Sequence, residues 1–216
     1  MSILTRALLF VAPRRSVRAA FTRHYERRDW DDPESVSGRG SSLRSTEAIR
    51  RELPPLFADL GVRSVVDAGC GDFNWFRELQ LDLDSYLGIE VVEGLAELNE
   101  QRHGGAGRRF AALDIIRDDL PRADLILCRD CLVHLKNRQV SAALRNFRRS
   151  RARYLLATTF TGPHPNQDVP LGGWRPLNLE RSPFHLGPPL RLIREAESVE
   201  DSRFADKSLG LWSLPS

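Results

Sequence analysis

The stretch Arg63-Ser-Val-Val-Asp67-Ala-Gly69-Cys70-Gly71-Asp72-Phe-Asn-Trp75 limits the choice of fold more than any other part of the chain. A β-branched apolar run stops abruptly at an acidic, glycine-rich turn, the pattern of a buried first strand feeding a ligand-binding loop. Two glycines one residue apart let the backbone turn tightly and approach a bound molecule, because neither carries a Cβ. A lone Gly-x-Gly is weak evidence. The sequel strengthens it: Tyr86-Leu-Gly-Ile-Glu90 is a second apolar run ending in an acid, 19 positions after Gly71. An acidic residue meets ribose hydroxyls in a doubly wound sheet ~20 residues beyond such a turn.

Beyond the turn, strand and helix patterns alternate. The periodicity predicts strands over 64–67, 85–90, 108–113, 123–128 and 153–159, with helices around 74–79, 92–102 and 137–149. Such alternation implies a parallel sheet covered on both faces. Two later runs, 190–193 and 208–214, read as closing strands, which brings the sheet to about seven. The fold expected is therefore α/β, a Rossmann-like doubly wound sheet. A chain of 216 residues suits one such domain, expected over 61–216, preceded by a helical segment and lid over 1–60. Within that segment residues 46–60 have helical spacing, interrupted by Pro54-Pro55.

Two cofactors fit a strand, a glycine turn and a ribose acid: a dinucleotide or S-adenosylmethionine. A pyrophosphate wants a third glycine so that the first helix can pack closely beneath it. Here that place is Asn74, followed by bulky Trp75 and Phe76. The chain resembles the class I S-adenosylmethionine-dependent methyltransferases through Asp67-Ala-Gly69-Cys70-Gly71, the strand-end acid Glu90, Phe110-Ala-Ala-Leu-Asp114-Ile115, and Ala123-Asp-Leu-Ile-Leu-Cys128-Arg129-Asp130. Cys-Gly-Asp-Phe-Asn-Trp together with Cys-Arg-Asp-x-x-x-His-Leu looks like a bacterial group within that family. The resemblance spans roughly residues 60 to 160. It implies S-adenosylmethionine as cofactor, held by Asp67, Gly69, Cys70, Gly71, Asp72, Glu90, Asp114, Ile115 and Arg129, with Asp114 near the adenine amine. It also implies that the two closing strands form an antiparallel hairpin.

Bland readings stand beside these. Glu90 and Asp114 taken singly are ordinary acids at strand ends, and Asp72 is as suited to capping a helix as to facing a cofactor. Asp67 ends a buried strand, where an unpaired charge is costly, so it should accept hydrogen bonds from the loop or a ligand amine. Cys128-x-x-Cys131-x-x-His134 superficially matches a redox pair or half a zinc site, yet only Cys70 remains as another thiol. Packed thiols and no metal are expected.

Net charge is only +3, and no Lys/Arg stripe interleaved with aromatics appears, which disfavours a nucleic-acid partner. Three cysteines suit a reducing cytoplasm. Residues 1–25 are Arg-rich and free of acids, with an apolar run over 7–12 too short for the ~20 residues of a membrane span. They read as an amphipathic helix. Residues 29–42 carry Trp30, Arg39 between two glycines, and several hydroxyls, a composition suited to closing over a polar ligand or to a plain linker. Between 160 and 189 prolines and glycines exclude a long helix, and Trp174, Phe184, His164 and His185 suit a substrate lid.

Methyl transfer from a sulfonium is an in-line displacement, and a base is needed only if the nucleophile carries a proton. His134 lies just past the fourth strand, on the rim where ligands bind, and its ordinary pKa of ~6.5 suits it to a hydroxyl proton. Helical spacing would set Asp130 beside it to orient the ring; a capped or packed histidine is the plain alternative. Arg129, Arg39 and Arg175 are candidates to grip anionic groups. The Asn/Asp-Pro-Pro-Tyr turn of amino-methylating nucleic-acid enzymes is absent, which favours O-methylation of a small or sugar-like polar acceptor. The rivals are a protein or RNA methyltransferase, an NAD-dependent oxidoreductase and a non-catalytic nucleotide-binding protein.

Overall fold

A computed structural model describes residues 15–30, 32–195 and 204–214. The apolar run at 7–12 lies outside the described residues. Helix α1 (Arg15–Arg27) leads through a short 3₁₀ turn (Arg39–Ser41) to α2 (Glu47–Leu60) and then to the sheet. Its strands are β1 (Ser64–Ala68), β2 (Ser85–Glu90), β3 (Arg108–Ala112), β4 (Leu125–Cys128), β5 (Tyr154–Phe160), β6 (Arg191–Arg194) and β7 (Lys207–Ser213). Helix α3 (Glu93–His103) follows β2, and α4 (Asn137–Arg149) follows β4.

The strand order is β3-β2-β1-β4-β5-β7-β6. The first five strands run parallel, and β7 is antiparallel to both neighbours, β5 and β6. This is the Rossmann-like sheet with a closing antiparallel hairpin. The order reverses between β1 and β4, so a crevice opens beyond their carboxyl ends.

The core lies on both faces of the sheet. On one face Val140, Ala143, Leu144 and Phe147 of α4 pack on Val66, Ile126 and Leu155. On the other, Ile49, Leu53, Leu56 and Phe57 of α2 join Phe73, Trp75, Phe76, Tyr86 and Phe110.

Three elements depart from the sequence expectation. Helix α2 runs straight through Pro54-Pro55. Two N–H donors are missing, but both prolines sit away from the core while Leu53, Leu56 and Phe57 stay buried, so burial holds the helix. The helix expected around 74–79 is only a 3₁₀ turn (Phe76–Glu78). Phe73 takes the left-handed conformation (φ 59°), which breaks the helix at its start, and tilted and edge-on aromatic rings cover the sheet in its place. The loop over 160–189 is half structural: Leu177, Leu179 and Phe184 are buried in the core, Phe160 N–H donates to Leu177 O at 2.9 Å, and Trp212 Nε1–H donates to Gly187 O at 2.9 Å.

Candidate functional site

A cleft with about 1050 Å³ of empty space lies over the carboxyl ends of β1, β2, β3 and β4. It is roofed by Val17, Phe21 and Tyr25, spaced four apart along one face of α1, and by Trp30. Helix α1 is docked on the sheet tips, where Arg18 donates to Ala112 O at 3.2 Å and pairs with Glu93 at 3.7 Å.

Gly69 (φ 89°) and Gly71 (φ 57°) take backbone conformations that side chains rarely adopt. The space freed by their missing Cβ atoms is used by the protein itself. A Cβ on Gly69 would stand 2.8 Å from the Cys131 side chain, and one on Gly71 would meet the Ser37 hydroxyl. Asn99 Nδ2 donates to Gly71 O at 2.7 Å and holds the turn from α3.

Three strand-end acids line the wall. Burial lifts Asp67 to about 7, against the opposing effect of Tyr86 Oη–H, which donates to its carboxylate at 2.7 Å. Burial also raises Glu90, opposed by the N–H groups of Val92, Val91 and Gly71. Val91 N–H and Val92 N–H reach Glu90 Oε1 at 2.7 and 3.0 Å. Asp114 is raised by burial too, and its carboxylate accepts from Ile116 N–H at 2.9 Å; Ile115 stands next to it on the wall.

Asp72 does not border the cleft. Its carboxylate accepts from Ser35 Oγ–H at 3.1 Å, Val36 N–H at 3.0 Å and Ser37 Oγ–H at 3.2 Å. Asn74 reinforces the junction, donating to Glu34 Oε1 at 2.7 Å and Ser41 O at 3.1 Å. Residues 34–41 are thereby latched onto the glycine turn, and Ser37 and Ser41 become part of the cleft wall.

On the β4 side, Arg129 and Asp130 belong to a charged quartet. Arg129 pairs with Glu195 at 2.6 Å and with Asp130 at 3.3 Å, while Lys207 pairs with Asp130 at 2.6 Å and Glu195 at 3.2 Å. The Arg129 guanidinium also lies over Trp75, 5.4 Å from the ring centre. Burial alone would raise Asp130, but the charges of Lys207 and Arg129 outweigh it and hold the acid down at about 2.

His134 borders the cleft, but the expected helical pairing with Asp130 does not form. Asp130 is left-handed (φ 52°) and residues 132–134 make a 3₁₀ turn, which turns the carboxylate to Lys207. The imidazole Nδ1 instead lies 2.8 Å from Gly173 O. Burial lowers its pKa, opposed by the Gly173 bond and the Asp130 charge. Trp30 stands between two imidazoles, 5.0 Å from His134 and 4.8 Å from His24.

Three further candidates lie away from the cleft wall. Arg39 is on the exposed turn beside Ser41. Trp174 is 41% exposed and packs edge-on against Phe160 and Phe204. Arg175 is buried and donates to Val133 O and Asn137 Oδ1, both at 2.8 Å. Its two terminal nitrogens are spent on the protein, and its buried Nε has no hydrogen-bond partner. Phe21 and Tyr25 went unread, although their spacing with Val17 is the signal; Glu195 and Lys207 carry no signal in sequence at all. Among the described residues no cluster of metal-ligating side chains occurs, and no helix is long and apolar enough to cross a membrane.

No family model matches the sequence, and no curated protein matches it. Solved structures do share its fold. A magnesium protoporphyrin IX methyltransferase from Synechocystis PCC 6803, crystallised with S-adenosylhomocysteine, is similar at TM-score 0.62 and 15% identity, over 92% of this chain and 98% of that one. The N-methyltransferase NodS from Bradyrhizobium japonicum WM9, in complex with the same molecule, gives 0.65 and 16% over 90% and 98%. A 1,6-didemethyltoxoflavin-N1-methyltransferase from Burkholderia thailandensis gives 0.60 and 16% over 92% and 87%. The chain thus has the fold of these enzymes.

Proposed function

We propose that the chain is an S-adenosylmethionine-dependent methyltransferase that methylates a hydroxyl of a small or sugar-like polar acceptor in the cytoplasm. The observation that carries this reading is the charge of the cleft. Asp67, Glu90 and Asp114 line it, while the other charged lining residues, Arg129 and Asp130, are balanced within the quartet by Glu195 and Lys207. A wall of buried acids repels a pyrophosphate and favours a ligand bearing a sulfonium and an ammonium. The fold shared with methyltransferases crystallised with S-adenosylhomocysteine supports the same reading.

The residues fit that cofactor by chemistry. Asp67 suits an ammonium, Glu90 a pair of ribose hydroxyls, and Asp114 with Ile115 an aminopurine edge and face. The cofactor supplies an electrophilic methyl group on a positively charged sulfur. The chain must then align the acceptor and keep water out, which is the part assigned to α1, Trp30 and the 34–41 latch. His134 takes the acceptor proton. Helix α1 and the 34–41 segment act as lid to a catalytic domain whose core includes α2, with the 160–189 loop at the acceptor side.

The test is thermal stabilisation of the purified chain by S-adenosylmethionine, S-adenosylhomocysteine and NAD side by side. Stabilisation by the first two and not by NAD is the expected result. Stabilisation by NAD alone would overturn the reading.

A further inference from the structure

We propose that residues 172–175 set the protonation site of His134, with the Gly173 carbonyl holding the ring as its Nδ1–H tautomer and Arg175 acting as the positioning residue behind it. The inference rests on the methyltransferase reading only for what the base is used for. A carbonyl oxygen can only accept, so the 2.8 Å contact between His134 Nδ1 and Gly173 O requires hydrogen on Nδ1. In the neutral ring the lone pair is then on Nε2, free to accept a proton. The same dipeptide also holds the main chain, because Gly172 N–H donates to His134 O at 3.0 Å.

Arg175 fixes the position of Gly173 relative to the ring. Its Nη1–H donates to Val133 O in the turn that ends at His134, and its Nη2–H donates to Asn137 Oδ1 at the start of α4. One planar guanidinium so joins the segment carrying Gly173 to the segment carrying His134. A buried cation bonded to neutral oxygens alone is costly, and a surface loop does not need it. Burying a fork here makes sense if a fixed distance between the two segments matters. The ring is faced by Asp130 from the end of β4, by His24 of α1 across Trp30, and by Arg175 from the loop.

In the reaction the acceptor O–H bond breaks and its proton goes to Nε2. The oxygen's electron pair forms the O–C bond as the C–S bond breaks, and the electron pair of that bond stays on sulfur as a neutral thioether. The imidazolium keeps its second N–H on Gly173 O until the proton leaves to solvent.

The experiment is long-range ¹H–¹⁵N correlation on the full chain labelled in histidine, with His134→Gln identifying the resonance among the five histidines. The wild-type ring should carry hydrogen on Nδ1 alone and titrate below ~6.5. Arg175→Ala should convert it to a mixture of tautomers, and Arg175→Lys should fall between. Once an acceptor is known, Arg175→Ala should lower kcat by up to ~100-fold with KM little changed. A wild-type ring protonated on Nε2 overturns the proposal, and this holds even if Arg175→Ala fails to fold. So does a folded Arg175→Ala chain with an unchanged tautomer. The functional reading fails separately, through absence of stabilisation by S-adenosylmethionine in a chain whose His134 behaves as expected.

Discussion

The half of the cleft formed by the tips of β1, β2 and β3 presents carboxylates that burial pushes toward neutrality, whereas the half formed by the described residues of 15–41 presents aromatic rings and serine hydroxyls. The first half is costly until something positive or hydrogen-bonding occupies it. The second is held in place by hydrogen bonds from Ser35, Val36 and Ser37 to the Asp72 carboxylate at 3.0–3.2 Å. On the proposed reading, recognition lies in the sheet tips and access in the 15–41 segment.

That contrast can be broken in graded ways. The largest effect should come from the floor beneath both halves. Glu195→Ala leaves Arg129 and Lys207 facing one acid, and removing one partner of a buried pair costs about 3–5 kcal/mol, read as a lower urea midpoint for the whole chain. Glu90→Ala should be next, lowering S-adenosylmethionine affinity by about 1.5–3 kcal/mol in calorimetry while the melting curve of the free chain shifts little or upward, because a buried acid is gone. Asp72→Ala should do the opposite. It should speed hydrogen exchange across residues 15–41 and leave exchange in β1, β4 and β5 unchanged; a uniform increase would mean that lid and sheet open as one unit.

A pH series sharpens the comparison further. Asp67 sits near 7 against an ordinary 3.8, so its contribution to the stability of the free chain is fully present below 3.8 and is lost as pH rises toward about 7. A ligand ammonium binds the ionised form, so affinity for S-adenosylmethionine should rise by up to tenfold per unit toward pH 7 and level off above it; an Asp67→Asn chain should lose that slope. The smallest effect belongs to His134. Its lowered pKa makes its contribution present above ~6.5 and lost as pH falls below that value, a shallow decline absent from His134→Gln.

How far the sequence could be read follows the same division. Strands β1, β2, β4 and β5 and helix α4 were legible because hydrophobic periodicity and burial coincide there. The strand-end acids were legible because a parallel sheet places successive tips side by side. Helix α2 was obscured by Pro54-Pro55, since local propensity there yields to tertiary packing. The role of Asp72 was hidden because its partners lie 35 to 37 residues earlier in a segment without periodicity. Arg175 read as a surface grip because a sequence does not reveal which arginines a fold will spend on its own carbonyls. Glu195, 66 residues from Arg129, is visible only once β6 is placed beside β7.

The Arg129, Asp130, Glu195 and Lys207 quartet carries two positive and two negative charges within contact distance, largely shut off from water. A set that sums to zero projects a field that fades faster than that of a single charge. Mobile ions, which screen over about 8 Å in physiological buffer, have little access to its interior. Exposed pairs such as Arg63 with Asp84 will weaken as ionic strength rises, but the floor of the cleft will not. Any ionic-strength dependence of ligand binding in this protein therefore reports on the ligand and on Asp67, Glu90 and Asp114, and not on the scaffold beneath them.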